Sequence, residues 1–301
     1  MKIIRKKENA VSIVRDILQD LLADIYAYRK RVLKEDDNEV LHQFRIAVRR
    51  SVVLMGEFSS IDRSGQILVH RKALKTLIGI SNTKRDLDVL YGRICTLSAE
   101  AVSHNDAVNL LKKQLEEMLQ KEHRKILEYL LSQTCSDILR SWEAYLGREY
   151  FNTVSDSDVT IKKLSDKVIY RRFLKIKKQI KALEQKPGKT EEKLHALRIS
   201  YKKLRYLLET FAGLYRKKKM QKLLKEMKKI QKVLGDFHDS CQQDVLLEQL
   251  LKIEEDPTLR IFISEVLRPE LKKYREKEIK EIKKQLERFL RKKKCYRKLF
   301  R

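Results

Sequence analysis

The chain has 301 residues, of which 42% are hydrophobic and 37% are charged, with only 8 glycines and 3 prolines. These proportions allow a sizeable hydrophobic core, predict long helices with solvated faces, and argue against a fold built from β-hairpins. The 69 basic and 42 acidic residues give a net charge of +27, which attracts polyanions such as nucleic acid, anionic membranes or polyphosphate.

Apolar residues recur at spacings of three and four along nearly the whole chain, the pattern of amphipathic helices. The first such stretch runs from Val11 to Ile25. We expect Pro187–Gly188 to end a later helix, Pro257 to open the last helix, and Pro269 to kink it. The further predicted helices are 39–58, 65–80, 85–101, 104–133, 136–150, 160–185, 191–212, 218–234, 239–254 and 257–292.

The cysteines predict neither a disulfide framework nor a zinc site, because they lie far apart and form no CxxC pair. They are Cys95, Cys135, Cys241 and Cys295. The segment Met1–Lys7 is followed by polar residues before a secretory apolar stretch can develop, and no run is long enough to span a membrane. We therefore expect a soluble cytoplasmic protein without a membrane partner.

The second part of the chain repeats the first at a constant offset of 153 residues. His42–Arg50 aligns with His195–Lys203, and Asn82–Asp86 aligns with Gly235–Asp239. Several matches at one offset indicate an internal duplication. We predict one all-α domain over residues 1–301, made of two helical bundles, 1–153 and 154–301, related by pseudo-twofold symmetry and linked near 151–158.

The offset also aligns residues with a predicted backbone role. Asp37 and Thr190 are expected to cap the N-termini of the two motif helices. Asn82 and Gly235 both tolerate a left-handed helix end, so a helix is expected to stop at each of them. Asp86 and Asp239 are interpreted as structural, either capping the next helix or orienting a base of the motif.

Each repeated segment carries basic residues spaced three and four apart, which places them within roughly 80° on one side of a helix. They are His195, Arg198, Lys202 and Arg205 in the second half, and His42, Arg45 and Arg49 in the first, where Val52 takes the fourth position. Such a row extends about 15 Å, which suits a linear polymer of phosphates. A solvated helix face is the alternative, but the row adjoins an apolar face, contains no glutamate, and occurs twice.

The charge excess is concentrated in the second half, and this predicts that the second half binds anions more strongly. Residues 1–153 contain 26 basic and 21 acidic residues, whereas residues 154–301 contain 43 and 21. Part of this excess lies on a predicted helix whose basic residues face away from its apolar side. These are Lys222, Lys225, Lys229 and Lys232, with Lys72 and Lys75 as first-half counterparts of this lysine helix. A solvated surface is a stronger alternative for these lysines.

The pattern His-x-x-Arg-Ile-x-x-[Arg/Lys]-[Arg/Lys], used twice and followed each time by [Arg/His]-Asp, resembles the CHAD family, the conserved histidine α-helical domain. The resemblance extends from about residue 8 to about residue 290 and indicates a stand-alone domain without a CYTH domain. It implies a basic groove or pore that binds inorganic polyphosphate, with no catalysis and no cofactor. Val52 and His238 depart from the family pattern, which has a base and an arginine there.

The resemblance assigns anion contact to the basic residues of both motifs. They are His42, Arg45, Arg49, Arg50, His195, Arg198, Lys202, Lys203 and Arg205. The lysines Lys72, Lys75, Lys222, Lys225 and Lys229 are added from their helical spacing. Association with polyphosphate granules or with proteins that metabolise polyphosphate is a further expectation.

Two other functions stay open at this stage. A nucleic-acid-binding protein is supported by charge alone, since 7% aromatic residues leave few platforms for stacking bases. A metal-dependent polyphosphate-processing enzyme would need ligands, for which His42 and His195 are candidates; the neighbouring bases disfavour a cation there. The string Glu276–Lys280 matches the ExExK signature of CYTH triphosphatases, but a helix would place its two glutamates about 200° apart.

Overall fold

The protein is almost entirely helical in this computed structural model, which describes residues 4–35, 37–62, 64–98, 105–147, 159–185, 189–291, 296 and 300. No β-strand occurs among these residues, so the predicted all-α class is confirmed. None of the described helices is both long and apolar enough to cross a lipid bilayer. The predicted linker 151–158, Pro187–Gly188 and Cys295 lie outside the described residues.

The α-helices follow one another with short turns between them. They are α1 (Ala10–Val32), α2 (Asn38–Glu57), α3 (Gln66–Gly79), α4 (Asn82–Ser98), α5 (Asn105–Leu131), α6 (Gln133–Gly147), α7 (Ile161–Gln185), α8 (Thr190–Thr210), α9 (Lys217–Ile253), α10 (Pro257–Ile261) and α11 (Arg268–Arg291). Short 3₁₀ turns, Ser59–Ile61 and Ala212–Leu214, follow α2 and α8.

The helix starts agree with the predicted caps in one motif helix and differ in the other. The Asp37 side chain accepts a hydrogen bond of 2.7 Å from the Glu39 backbone, so Asp37 caps α2 as predicted. The prediction for Thr190 was wrong, because Thr190 is the first helical residue of α8 and Lys189 occupies the cap position. Lys189 has a φ of 57°, a left-handed conformation that starts the helix without a side-chain cap.

Helix α9 corrects the prediction of two helices, 218–234 and 239–254. It is continuous from Lys217 to Ile253, and Gly235 lies in its interior rather than at a left-handed end. A glycine inside a helix costs only about 1 kcal/mol, whereas Leu234 and Phe237 on either side of it are both buried. Packing therefore outweighs the local signal. The break occurs in the first half alone, where α4 begins at Asn82 after a short turn.

The last helical stretch is interrupted next to Pro269, where a kink was predicted. Pro257 lies in the first turn of α10, which Asp256 caps, as predicted. A π-helical segment, Phe262–Leu267, separates α10 from α11, and Pro269 is the second residue of α11. Because proline has no backbone N–H, the i→i−4 hydrogen bond is missing there, and the wider π turn accommodates the gap.

Two separate hydrophobic cores lie on either side of a polar layer. The larger core includes Trp142 and Tyr201, and α9 contributes to it as far as Phe237. The smaller core is formed by α4, α5, the far end of α9 and the last helices, and α9 enters it at Leu247. Between Phe237 and Leu247, α9 carries buried and half-buried polar residues, among them Ser240. This polar layer contains the site described next.

The two halves contact each other through reciprocal ion pairs. Arg50 donates a hydrogen bond of 3.1 Å to Glu209, and Lys203, the equivalent of Arg50, lies 3.9 Å from Glu57. A twofold axis would generate one contact from the other to within one residue of register. The duplication itself stays a prediction, and these contacts are of the kind that it requires.

Candidate anion-binding site

A cleft of about 660 Å³ lies in the polar layer between the halves. Helices α2 and α4 form one wall, and α8 and α9 form the other. The lining residues are Arg45, Arg49, Asn82, Arg85, Asp86, Glu191, Glu192, Leu194, His195, Arg198, Leu234, Phe237, His238, Cys241 and Gln242.

The two central arginines occupy equivalent positions on α2 and α8, and both are buried. Arg45 is 3% exposed and Arg198 is 8% exposed, because their positions adjoin the apolar faces that pack into the larger core. Arg45 donates to the Ser81 hydroxyl and, over 3.0 Å, to the Asn82 amide oxygen. Asn82 therefore acts through its side chain, a role that its predicted place at a helix end did not suggest.

Arg85 links the two halves across the cleft. Its guanidinium donates to Asp86 over 2.9 Å and to Asp239 over 2.7 Å. Burial lowers the pKa of Arg85, but its hydrogen bonds to these carboxylates outweigh burial and raise the pKa above the ordinary arginine value. Asp239 also lies 3.8 Å from Arg198, so it orients a motif base, one of the two roles predicted for it.

Apart from the exposed glutamates Glu191 and Glu192, the side chains in and beside the cleft carry more positive than negative charge. We call the following seven residues the central cluster: Arg45, Arg49, Arg85, Arg198, Lys202, Asp86 and Asp239. Among the described residues, neither Arg49 nor Lys202 has an ion pair or a hydrogen bond to a side chain. The five bases face two carboxylates, which Arg85 and Arg198 already contact.

Burial, reinforced by repulsion between the bases, lowers the pKa values of four of the five bases, Arg85 being the exception. Burial, followed by repulsion from Arg198, Arg49 and Arg85, lowers the pKa of Lys202 to about 6. Burial and the neighbouring arginines lower the pKa of Arg45 to about 9. The pKa of Arg198 falls to about 10, mainly through burial, although Asp239 opposes the change. The positively charged forms of these groups are thus disfavoured until an anion enters the cleft.

Two histidines from the second half form a pair in the cleft wall. The Nδ1 atoms of His195 and His238 are 3.2 Å apart. Burial and the positive charges of Arg198 and Lys202 lower the pKa of His195, and burial, Arg198 and His195 lower that of His238 to about 3. Both shifts favour the neutral form of the ring. His238 stands at the position equivalent to Arg85, and it supplies a titratable partner instead of a fixed charge.

The first half lacks the counterpart of this wall. His42 is exposed and does not line the cleft. Where the second half has Phe237 and Cys241, the first half has Lys84 and Asp88 at the same offset. Lys84 is 4% exposed and donates over 3.1 Å to Asp88 and also to Asn38. Together with Asn38, this ion pair lines a separate cavity of about 440 Å³ in the first half, so the two halves differ around the cleft.

Three other predicted residues lie outside the central cluster and share their carboxylate partners with other bases. Arg50 and Arg205 both contact Glu209, at 3.1 and 3.4 Å, and both stack over the Tyr206 ring. Lys203 lies 3.9 Å from the buried Glu57. The predicted site residues did not include Glu57 and Glu209, nor Arg171 and Arg172, which share Glu57 with Lys203. Their long separation along the chain gives no local signal.

The predicted lysines are not brought to the cleft. Lys72, Lys75, Lys222, Lys225 and Lys229 are all exposed, and none of them is among its lining residues. Among the described residues, no group of three or more His, Cys, Asp or Glu side chains is arranged to hold a metal ion. The ExExK string lies in α11, where Glu276 is exposed and Glu278 is buried.

Comparisons with known proteins concern the whole fold. The family model for the CHAD domain matches residues 16–248. The crystal structure of the CHAD domain from the plant Ricinus communis aligns with a TM-score of 0.79 at 20% identity, over 95% of this chain and 94% of that one. PptA from Streptomyces chartreusis aligns with a TM-score of 0.73 at 14% identity, over 93% and 100%. No curated protein sequence matches.

Proposed function

The chain belongs to the CHAD domain family, whose model matches most of its length, and from this premise we propose that it binds inorganic polyphosphate, or a similar linear polyanion, in the cleft. The proposal rests chiefly on one observation, the excess of buried bases in the central cluster. Phosphate oxygens would supply the missing negative charge, and arginine offers them two parallel donors.

We further propose that binding occurs without catalysis. The two carboxylates of the central cluster, Asp86 and Asp239, contact Arg85, and Asp239 also lies near Arg198. Carboxylates held by arginines are poor ligands for the magnesium or manganese that phosphoryl transfer uses. Cys135 and Cys241 form no disulfide within the described part of the chain, which fits a reducing compartment. We therefore propose a cytoplasmic location, in contact with polyphosphate granules.

Calorimetry with polyphosphate of defined length tests the binding site. Arg45→Ala with Arg49→Ala, and separately Arg198→Ala with Lys202→Ala, should each weaken binding by roughly 100-fold, since a charge-assisted hydrogen bond contributes about 1.5–3 kcal/mol. The two losses of affinity should be similar. Each double variant removes two of the five bases of the central cluster, and both halves contribute to that cluster. The second half's extra charge lies largely outside the cluster.

A matched control removes two arginines whose ion pairs lie away from the cleft. Arg31 pairs with Glu35, and Arg140 pairs with Asp137. Replacing both by alanine should leave the affinity unchanged within about twofold. An equal loss in this control, or no loss in either cleft variant, would show that the ligand binds elsewhere. Orthophosphate released steadily by the purified protein, and abolished with the cleft variants, would contradict the non-catalytic proposal.

A further inference from the structure

We infer that α9 carries a second polyphosphate-contact surface, directed away from the cleft, and that one molecule can therefore hold two segments of polymer and cross-link chains. We call this surface the lysine ridge, and it consists of Lys222, Lys225, Lys229 and Lys232. The inference rests on the proposed function for the identity of the ligand. Its physical basis is the continuity of α9, because the ridge and part of the cleft wall belong to the same uninterrupted helix.

The ridge combines high charge with exposure. Residues 217–232 contain eight lysines and a single acid, Glu226, and all eight lysines are exposed. Glu226 accepts a hydrogen bond from the Tyr296 hydroxyl, so its carboxylate is already engaged. No lysine of the ridge forms an ion pair within the described part of the chain. Helix α11 differs, because five glutamates are interleaved among its bases.

The ridge and the cleft wall lie on opposite sides of α9. Lys229 and His238 are nine residues apart, which at 100° per residue leaves them about half a turn apart around the helix. The residues that face the core from the ridge segment, Leu223 and Met227, share the side of the helix that carries Leu234 into the cleft. A polymer segment within the cleft therefore leaves the ridge free for another segment.

Polyphosphate fits the ridge better than nucleic acid does. Residues 217–232 contain no aromatic side chain, so no platform is present on which bases could stack. The ridge extends over about 15 Å and offers charge alone. Polyphosphate carries one charge on each phosphate and has no groups beyond its charged backbone. Two surfaces of this kind on one molecule make it bivalent, and bivalency links long chains into networks.

Light scattering from mixtures of the full chain with long-chain polyphosphate tests cross-linking. The ridge variant carries Lys222→Gln, Lys225→Gln, Lys229→Gln and Lys232→Gln. It should scatter roughly tenfold less than the unaltered protein, while its calorimetric affinity for short polyphosphate, which fills only the cleft, stays the same. The matched control carries Lys272→Gln, Lys273→Gln, Lys277→Gln and Lys280→Gln on α11, removes the same charge, and should scatter like the unaltered protein.

The outcomes separate this inference from the proposed function. The inference of a second contact surface is contradicted if the ridge variant scatters as much as the unaltered protein. It is also contradicted if scattering by the α11 control decreases equally. Duplex DNA that removes the scattering at equal phosphate concentration, while short polyphosphate stays bound, would also overturn it, by assigning the ridge to nucleic acid. The proposed function fails separately, if short polyphosphate still binds the variant with Arg49→Gln and Lys202→Gln. Circular dichroism should show unchanged helicity in every variant.

Discussion

Lys202 is a lysine surrounded by arginines, and its pKa of about 6 leaves it largely neutral at pH 7.5 in the absence of ligand. Phosphates in the cleft would favour its charged form and raise this pKa toward the ordinary value. We therefore expect binding at pH 7.5 to take up protons, and affinity to fall as the pH rises above 6. Calorimetry in buffers of different ionisation enthalpy measures the uptake.

Lys202→Met isolates this contribution. It should remove about one proton from the uptake, whereas His195 and His238 can account for what remains. The groups that face Lys202 are Arg198, Arg49, Arg85 and Asp239. Uptake unchanged by Lys202→Met would contradict the assignment, and Lys222→Gln, an exposed lysine, is the control.

The same substitution should stabilise the ligand-free protein. The folded-state pKa of Lys202 lies below that of an unfolded lysine, so the unfolded chain binds the proton more tightly. The destabilisation is full below about pH 6 and diminishes as the pH rises toward 10.5. The gain in melting temperature from Lys202→Met should follow that course. Lys202 thus lowers the stability of the ligand-free protein because anion binding requires a positive charge at this buried position.

At the scale of the helices, α9 offers a direct test of its continuity. Gly235 lies in the helix interior, and a Cβ placed there meets no atom within 4 Å. Gly235→Ala should therefore raise the free energy of unfolding by roughly 0.5–1 kcal/mol. At Gly65, where φ is 73°, the same change should lower it, because alanine resists that conformation. Urea unfolding measures both changes. A lower free energy of unfolding for Gly235→Ala would favour the predicted helix break over a continuous α9.

The sequence predicts well what depends on neighbouring residues. Asp37 caps α2, and Arg45 and Arg198 lie at equivalent positions on α2 and α8, because capping and helical spacing are local. The sequence fails to predict helix ends where side-chain packing outweighs local preference, as at Gly235. It also missed the pairing of Lys203 with Glu57, which requires the fold to bring α2 and α8 together. The offset of 153 does align Lys84 with Phe237, so the asymmetry of the cleft could have been found.

At the scale of the whole molecule, the two cores hold a layer of positive charge between them. Binding should therefore depend strongly on salt, since polyphosphate releases counterions as the bases of the central cluster replace them. For five contacts, a plot of log affinity against log salt concentration should have a slope of about −4, by analogy with nucleic acids. Calorimetric titrations over a series of salt concentrations measure it. A slope near zero would exclude the central cluster as the binding surface.

The two halves differ at equivalent positions, with Lys84 and Asp88 in the first and Phe237 and Cys241 in the second, and this asymmetry has a consequence for the direction of the bound polymer. A site with unlike ends imposes an orientation on a strand of nucleic acid, whose 5′ and 3′ ends differ. Linear polyphosphate has identical ends and reads the same in both directions. Either way of entering gives the same complex, and this degeneracy favours binding by about 0.4 kcal/mol, a factor of two. The two halves of the protein can therefore differ in sequence without imposing a preferred direction on the bound polymer.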